Sequence, residues 1–309
     1  MEDEFIEWIR SESAAASTLP YWASRYREFM KFCRTEGIDV KELNVETSRK
    51  YMIFTLERPN YQTGGEVSSA TRAKHYDFLT AFSRFLNEKG ILNNCHLTEG
   101  IKRPRPRYKV INSLSQEQLH AVLQTVKNIR ISKSSRERIA LLIFLISSTG
   151  LRVGEALPVK PIDFDFNRRI VTVNGKGNRE REVPFGFELS YLIQKYIEEN
   201  QIKENSYLWV TRTGKPMAQS SFRDSLRDIK KCLGNSFGIN HIRLSPHTLR
   251  HTFAKMWVVK GGNSIALSRI LGHSTVEMTD RYVRLWGIDI NSAYDNCNPC
   301  EGLSMPNYD

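Results

Sequence analysis

Cysteine is scarce in this chain: 309 residues hold five, Cys33, Cys95, Cys232, Cys297 and Cys300. An odd count cannot pair completely within one chain, and so low a density excludes a disulfide scaffold. A reducing, cytoplasmic setting is the expectation. Long apolar runs are missing as well. The most apolar stretch, Ile139 to Ile146, falls far short of the roughly 20 residues that span a bilayer and reads as a buried helix. The first residues, Met1-Glu2-Asp3-Glu4-Phe5, are acidic and lack the cationic region of a secretory signal. No membrane partner is expected. Acidic residues are in deficit, 34 against 45 lysines and arginines. They show no cluster with metal-ligand spacing, so neither a metal nor another cofactor is expected. Internal repeats and low-complexity segments are absent too.

What remains is a basic, foldable chain. The net charge is +11, which calls for an anionic partner, and nucleic acid fits best once a membrane is set aside. Hydrophobic residues make up 40% of the chain, too many for a disordered one. Ile101-Lys102-Arg103-Pro104-Arg105-Pro106-Arg107-Tyr108-Lys109 divides it. Alternating prolines prevent a helix and favour an extended path. The segment reads either as a solvated linker or as one that also follows a phosphate backbone through Lys102, Arg103, Arg105, Arg107 and Lys109. The expected layout is a helical domain over residues 1–101, a linker over 102–111 and a second domain over 112–309.

The first domain carries apolar residues at helical spacing over Thr18 to Glu36, Asn44 to Leu56 and Ser69 to Asn87, with Asn60, Gly64 and Gly65 marking a loop. Its aromatics read as core rather than as platforms for stacked bases. The second domain opens at a capping box, Ser115 with Gln118. Helices follow until Thr149-Gly150 breaks the run, and Arg152 to Leu157 resumes it. The pattern then switches to Ile170-Val171-Thr172-Val173, a turn at Asn174-Gly175-Lys176-Gly177-Asn178, and Glu182-Val183-Pro184, a hairpin signal. Helices return, interrupted by the short apolar piece Tyr207 to Val210. The fold class is mainly α with a small antiparallel sheet.

Several scattered residues suit phosphate chemistry. Arg152 lies just past a glycine break, and Glu155, three residues on, is placed to hold its guanidinium. Seen alone, the pair also fits a weak surface ion pair. Ser245 and Pro246 open a helix as N-cap and first residue. His247 and Arg250 share one face of it, in a first turn whose dipole disfavours cations unless an anion sits there. Leu249 and Phe253 point elsewhere, into the core. His251 reads as a packing neighbour. Lys176, at the hairpin tip between two glycines, is either an inert surface lysine or a mobile acid. Ser274 and Glu277 form a second capping box, which places Tyr282 on an ordered helix with His273 just ahead of it. A phenol is a poor nucleophile at neutral pH, with a pKa near ~10. Arginines and a histidine nearby help it lose its proton, and arginine forks match phosphate oxygens.

Taken together, Arg152, Lys176, the His247/Arg250 pair, His273 within Leu-Gly-His, and Tyr282 resemble the tyrosine recombinase (phage integrase) family from about Ser115 to Tyr282. The helical domain resembles it more weakly. The resemblance implies an N-terminal helical core-binding domain and an α+β catalytic domain. Tyr282 is then the nucleophile, Arg152 the first catalytic arginine, Lys176 the hairpin lysine, His247 and Arg250 the His-x-x-Arg pair, His273 the final activating histidine, and Glu155 the acidic support of Arg152. It also implies double-stranded DNA as substrate, a 3′-phosphotyrosyl intermediate, a homotetramer on synapsed DNA, and a compact Xer-like layout without an arm-site-binding domain. A type IB topoisomerase-like relaxing enzyme and a non-catalytic DNA-binding regulator are the alternatives. Leu285, Trp286, Ile288 and Ile290 in the tail fit docking on a neighbouring subunit or packing on their own domain.

Overall fold

Phenylalanine decides how the first hundred residues pack. In the computed structural model, which describes residues 1–12, 15–57, 66–105, 112–175, 180–211 and 214–272, the chain divides into two units, Met1–Lys109 and Val110–Asp309. The first unit holds four α-helices among its described residues: α1 (Glu2–Ser11), α2 (Leu19–Thr35), α3 (Val45–Glu57) and α4 (Ser69–Glu88). Phe5, Phe29, Phe78 and Phe82 are fully buried where they meet, with Phe5 and Phe82 edge to face at 5.3 Å between centroids. Tyr26, Phe32 and Phe85 are buried beside them, so these aromatics are core, as their spacing predicts. The helices α2, α3 and α4 end within a residue of their expected bounds. Helix α1 is an addition. Its acidic first turn, Glu2, Asp3 and Glu4, complements a helix N-terminus, and Phe5 and Ile9, four apart, supply its buried face.

The second unit is built on α6 (Lys133–Thr149), the apolar run read as a buried helix. Leu142, Ile143, Leu145 and Ile146 in it are fully buried, and no described helix is long and apolar enough to cross a membrane. Ahead of it, α5 (Gln116–Thr125) starts at the expected capping box: Ser115 Oγ accepts from the Gln118 N–H at 3.1 Å, and Gln118 Oε1 accepts from the Ser115 N–H at 2.8 Å. After α6 come α7 (Val153–Ala156), a sheet of β1 (Phe164–Asp165), β2 (Ile170–Asn174) and β3 (Glu180–Pro184), then α8 (Phe187–Glu199), α9 (Gln219–Leu233), α10 (Pro246–Val259) and α11 (Ser264–Leu271). The sheet is antiparallel in the order β1-β2-β3. The hairpin β2–β3 is the expected one. The third strand, β1, is two residues long and too short to show alternation. The mainly α fold with a small antiparallel sheet is therefore as the sequence indicates. Trp209, in the short apolar piece, is fully buried and donates its indole N–H to Ala156 O at 2.6 Å.

Gly150 ends α6 in the left-handed region at φ +68°, where a Cβ would stand 2.5 Å from Phe253 Cδ1 and 2.7 Å from Leu271 Cδ2. The break that precedes Arg152 thus lets α10 and α11 approach the end of α6. Gly150→Ala adds left-handed strain to overpacking, and we expect a loss of about 2–4 kcal/mol in stability. Urea titration of the two proteins measures it. A change below about 0.5 kcal/mol, the size of an ordinary surface substitution, would show that this close approach is not needed.

Candidate active site

The residues that matter chemically gather where the ends of α6, α7, α10 and α11 meet strand β3. Arg152 is the N-cap of α7, in extended backbone conformation. Glu155, at the third helical position, returns to it twice. Its Oε2 accepts from the Arg152 N–H at 2.7 Å, and its Oε1 accepts from Arg152 Nη1 at 2.9 Å. Glu155 thus holds the Arg152 guanidinium, as expected, and also caps the helix through the Arg152 backbone N–H. This is no surface ion pair, because Glu155 is 6% exposed. Arg152 Nη2 donates to Gly272 O at 3.0 Å.

Arg250 lies just past the first turn of α10. Ser245 caps that helix by accepting from the Thr248 N–H at 3.2 Å, and Pro246 takes its first position, as expected. Leu249 faces the core at 0% exposure and Phe253 packs against it. Arg250 itself is 4% exposed, with Nη1 donating to Gly150 O at 2.6 Å and Nη2 to Leu271 O at 2.7 Å. A buried guanidinium needs such partners, and the chain provides them from the ends of α6 and α11. His247, three residues earlier, is exposed, with its ring 6.4 Å from that of His251. Desolvation by the surrounding walls lowers the His247 pKa, and the charges of Arg250, Arg223 and Arg152 push the same way. The imidazole is therefore biased toward its neutral form.

Sequence reasoning missed Arg181. Its Nη1 and Nη2 bond Glu155 Oε1 and Oε2 at 2.7 and 2.8 Å, and its Nε donates to Ile270 O at 3.1 Å. Burial raises the Glu155 pKa, but hydrogen bonds and charge from Arg181 and Arg152 outweigh it and hold the carboxyl at about 2. The signal was present in the alternation of β3, where Arg181 falls on the side of buried Val183. A strand read only from Glu182 omits it. The result is a row of three arginines, Arg181, Arg250 and Arg152, donating to Ile270, Leu271 and Gly272, the last carbonyls of α11 and its cap. Those carbonyls form the negative end of the helix dipole and have no partner inside the helix.

Next to His247 a cleft of about 850 Å³ runs along α9, lined by Arg223, Arg227, Lys230 and Arg243 together with Asp224. These basic residues were not singled out in the sequence, although Arg223, Arg227 and Lys230 recur at helical spacing. Of the linker residues, Lys102 and Arg105 are exposed. Arg103 is paired with Asp77 at 2.7 and 2.8 Å, a partner that sequence reading gives no sign of. Arg107, Lys109, Lys176, His273, Tyr282, the Ser274/Glu277 box and Cys297/Cys300 lie outside the described residues. Four of the expected site residues, Arg152, Glu155, His247 and Arg250, are thus brought together.

The profile of the Phage integrase family matches residues 112–286. Tyrosine recombinase XerC of Staphylococcus epidermidis is 27% identical over 303 residues, covering 97% of each chain. The XerC of Bacillus pumilus is 26% identical over 306 residues, covering 96% of this chain and 95% of its own. Among solved structures, the XerH site-specific recombinase in a post-cleavage complex with a palindromic difH substrate shares the fold. Its TM-score is 0.73 at 20% identity, over 92% of this chain and 80% of that one. The Tn1549 transposon integrase in complex with transposon right end DNA shares it with a TM-score of 0.69 at 17% identity, over 98% and 99% of the two chains. With a family profile matching more than half of its length, the chain belongs to the phage integrase family, the tyrosine recombinases.

Proposed function

We propose that this protein cuts and rejoins double-stranded DNA at a specific site, with Tyr282 as nucleophile and Arg152, Arg250 and His247 around the scissile phosphate. One observation carries the reading: Arg152 and Arg250 are fixed by carbonyls and a carboxylate, with His247 beside them at the edge of a basic cleft. A guanidinium has five N–H donors. The bonds described for Arg152 use two of them, so the group is oriented without being exhausted. Fixed donors stabilise charge that develops on phosphate oxygens without reorganising during the reaction.

The Tyr282 oxygen attacks phosphorus, and the bond from phosphorus to the 5′ oxygen of the next deoxyribose breaks. His247 takes the phenol proton, since a neutral imidazole offers an acceptor nitrogen, and His273 assists. Lys176 protonates the departing 5′ oxygen. The 3′-phosphotyrosyl ester keeps the bond energy, so attack by a 5′-hydroxyl rejoins the strand without ATP. The relatives' complexes with DNA support the substrate class, and the basic cleft and linker supply phosphate contacts. Two duplexes exchanging strands require four such subunits, which makes a homotetramer the working assembly, with residues 1–101 as the second clamp on DNA.

The test is capture. Wild-type protein is incubated with nicked, sheared genomic DNA of its source organism, denatured, and assayed for DNA that remains attached. The expected result is a denaturant-resistant adduct enriched in one sequence, with binding that weakens steeply as salt rises. Adducts spread evenly over all sequences, with plasmid relaxation, would replace the site-specific reading by a relaxing enzyme. Salt-sensitive binding without any adduct would remove the enzymatic one.

A further inference from the structure

Arg181 has no part in the step above, yet it touches three pieces of the site. We propose that Arg181 is a positioning residue for strand cleavage. It locks Glu155, and through it Arg152, while tying the hairpin that carries Lys176 to the end of α11 that leads to His273. The inference rests on the recombinase reading and deepens it.

In the register of the hairpin, Val171 pairs with Val183 and Val173 with Arg181. Directly opposed residues share a face, and Val171, Val173 and Val183 are buried. Arg181 is therefore a cation on the inward face of a sheet, 14% exposed in its side chain, where only a paired charge is tolerable. Its partner is also the partner of Arg152. Glu155 Oε1 accepts from both Arg152 Nη1 and Arg181 Nη1, and Oε2 from both the Arg152 N–H and Arg181 Nη2. Four donors meet the roughly four lone-pair sites of one carboxylate, so its orientation is fully determined. Without Arg181, half of that set is gone and the carboxylate is free to turn, taking the Arg152 guanidinium with it.

The third contact points toward α11. Arg181 Nε reaches Ile270 O, and its guanidinium lies against Gly272, where a Cβ would stand 2.9 Å from that nitrogen at a backbone φ of +61°. Glycine is needed there for both reasons. The next residue in the chain is His273. At the other end, Arg181 lies five residues after Lys176, on the strand that leaves the turn. One side chain thus couples the placing of Arg152 to the two neighbouring chain segments that supply an acid and a histidine.

The experiment uses the full chain, on a nicked duplex carrying the sequence recovered by capture. Arg181→Lys keeps the charge but cannot span both carboxylate oxygens and the carbonyl. Its capture rate is expected to fall about a hundredfold, as for a small misplacement of a reacting group, with affinity for the same duplex unchanged. The pH profile separates positioning from mere stability. In the wild type Glu155 is held well below its ordinary value of 4.5, so its contribution is complete above that value and is lost only as pH falls toward about 2. In Arg181→Met the same loss moves to higher pH, and capture gains an acid limb beyond the one His247 gives both proteins. Should Arg181→Met fail to fold around a half-satisfied carboxylate, Glu155→Gln/Arg181→Met removes the buried charge as well, and it is expected to be equally slow. Capture at wild-type rate by Arg181→Lys and by the folded double variant would overturn the proposal alone. No capture by the wild type on any genomic sequence would overturn the recombinase reading and this proposal with it.

Discussion

Arg250→Lys is expected to lower the rate of covalent DNA capture by about a hundred- to a thousandfold, the usual cost of one fixed donor at a developing oxyanion. The geometry explains why a conserved charge is not enough. Arg250 spans two carbonyls, Gly150 O at 2.6 Å and Leu271 O at 2.7 Å, from two different nitrogens of one plane. Lysine has a single nitrogen at the end of a flexible stem. It cannot hold the end of α6, the end of α11 and a phosphate oxygen at once. At 4% exposure the loss also leaves a carbonyl unpaired in the interior, so part of the effect is expected as lower stability, about 1–3 kcal/mol. Rate and stability are measured separately, by single-turnover capture at saturating DNA and by urea titration. Single-turnover capture within about threefold of wild type, where one fixed donor is worth at least a hundredfold, would sink the phosphate-binding role of Arg250.

Tyr282→Phe removes the adduct altogether. Phenylalanine keeps the ring but has no oxygen to attack phosphorus, and no neighbouring group substitutes for a missing nucleophile in a covalent mechanism. DNA binding persists, because affinity for DNA comes chiefly from phosphate contacts of lysines and arginines. The expected pair of results is therefore equal retention of labelled duplex in a gel shift and no labelled protein after denaturation. A Tyr282→Phe protein that still becomes covalently attached would place the nucleophile elsewhere in the chain.

Much of this was readable in order along the chain because the forces concerned are local. The capping box at Ser115 closes within three residues, and so do the cap at Ser245 and the return of Glu155 to Arg152. The spacing of Phe29 and Phe32, or of Phe78, Phe82 and Phe85, sets a buried helical face without help from distant residues. Alternation in the hairpin pairs Val171 with Val183, and it would have shown Arg181 facing inward had the strand been started at Glu180. The exceptions have physical causes. Helix α1 is short and its acidic first turn hides two apolar anchors, Phe5 and Ile9. Strand β1 has too few residues to alternate. Arg103 reads as one of five linker cations, although a carboxylate 26 residues away at Asp77 holds it.

By itself the sequence determined the helices, the hairpin, the caps and the order of the residues suited to phosphate chemistry, because each is set by neighbours within a few positions. Tertiary structure decided which of those residues meet and on what terms. Arg250 finds Gly150 across 100 residues, Arg152 finds Gly272 across 120, and Arg181 finds Ile270 across 89. Such bonds depend on how the ends of α6, α10 and α11 come together beside β3 and, for Arg250 at 4% exposure, on burial that leaves its guanidinium little water to turn to. No local pattern encodes them, since each is made only once the core between its partners has closed.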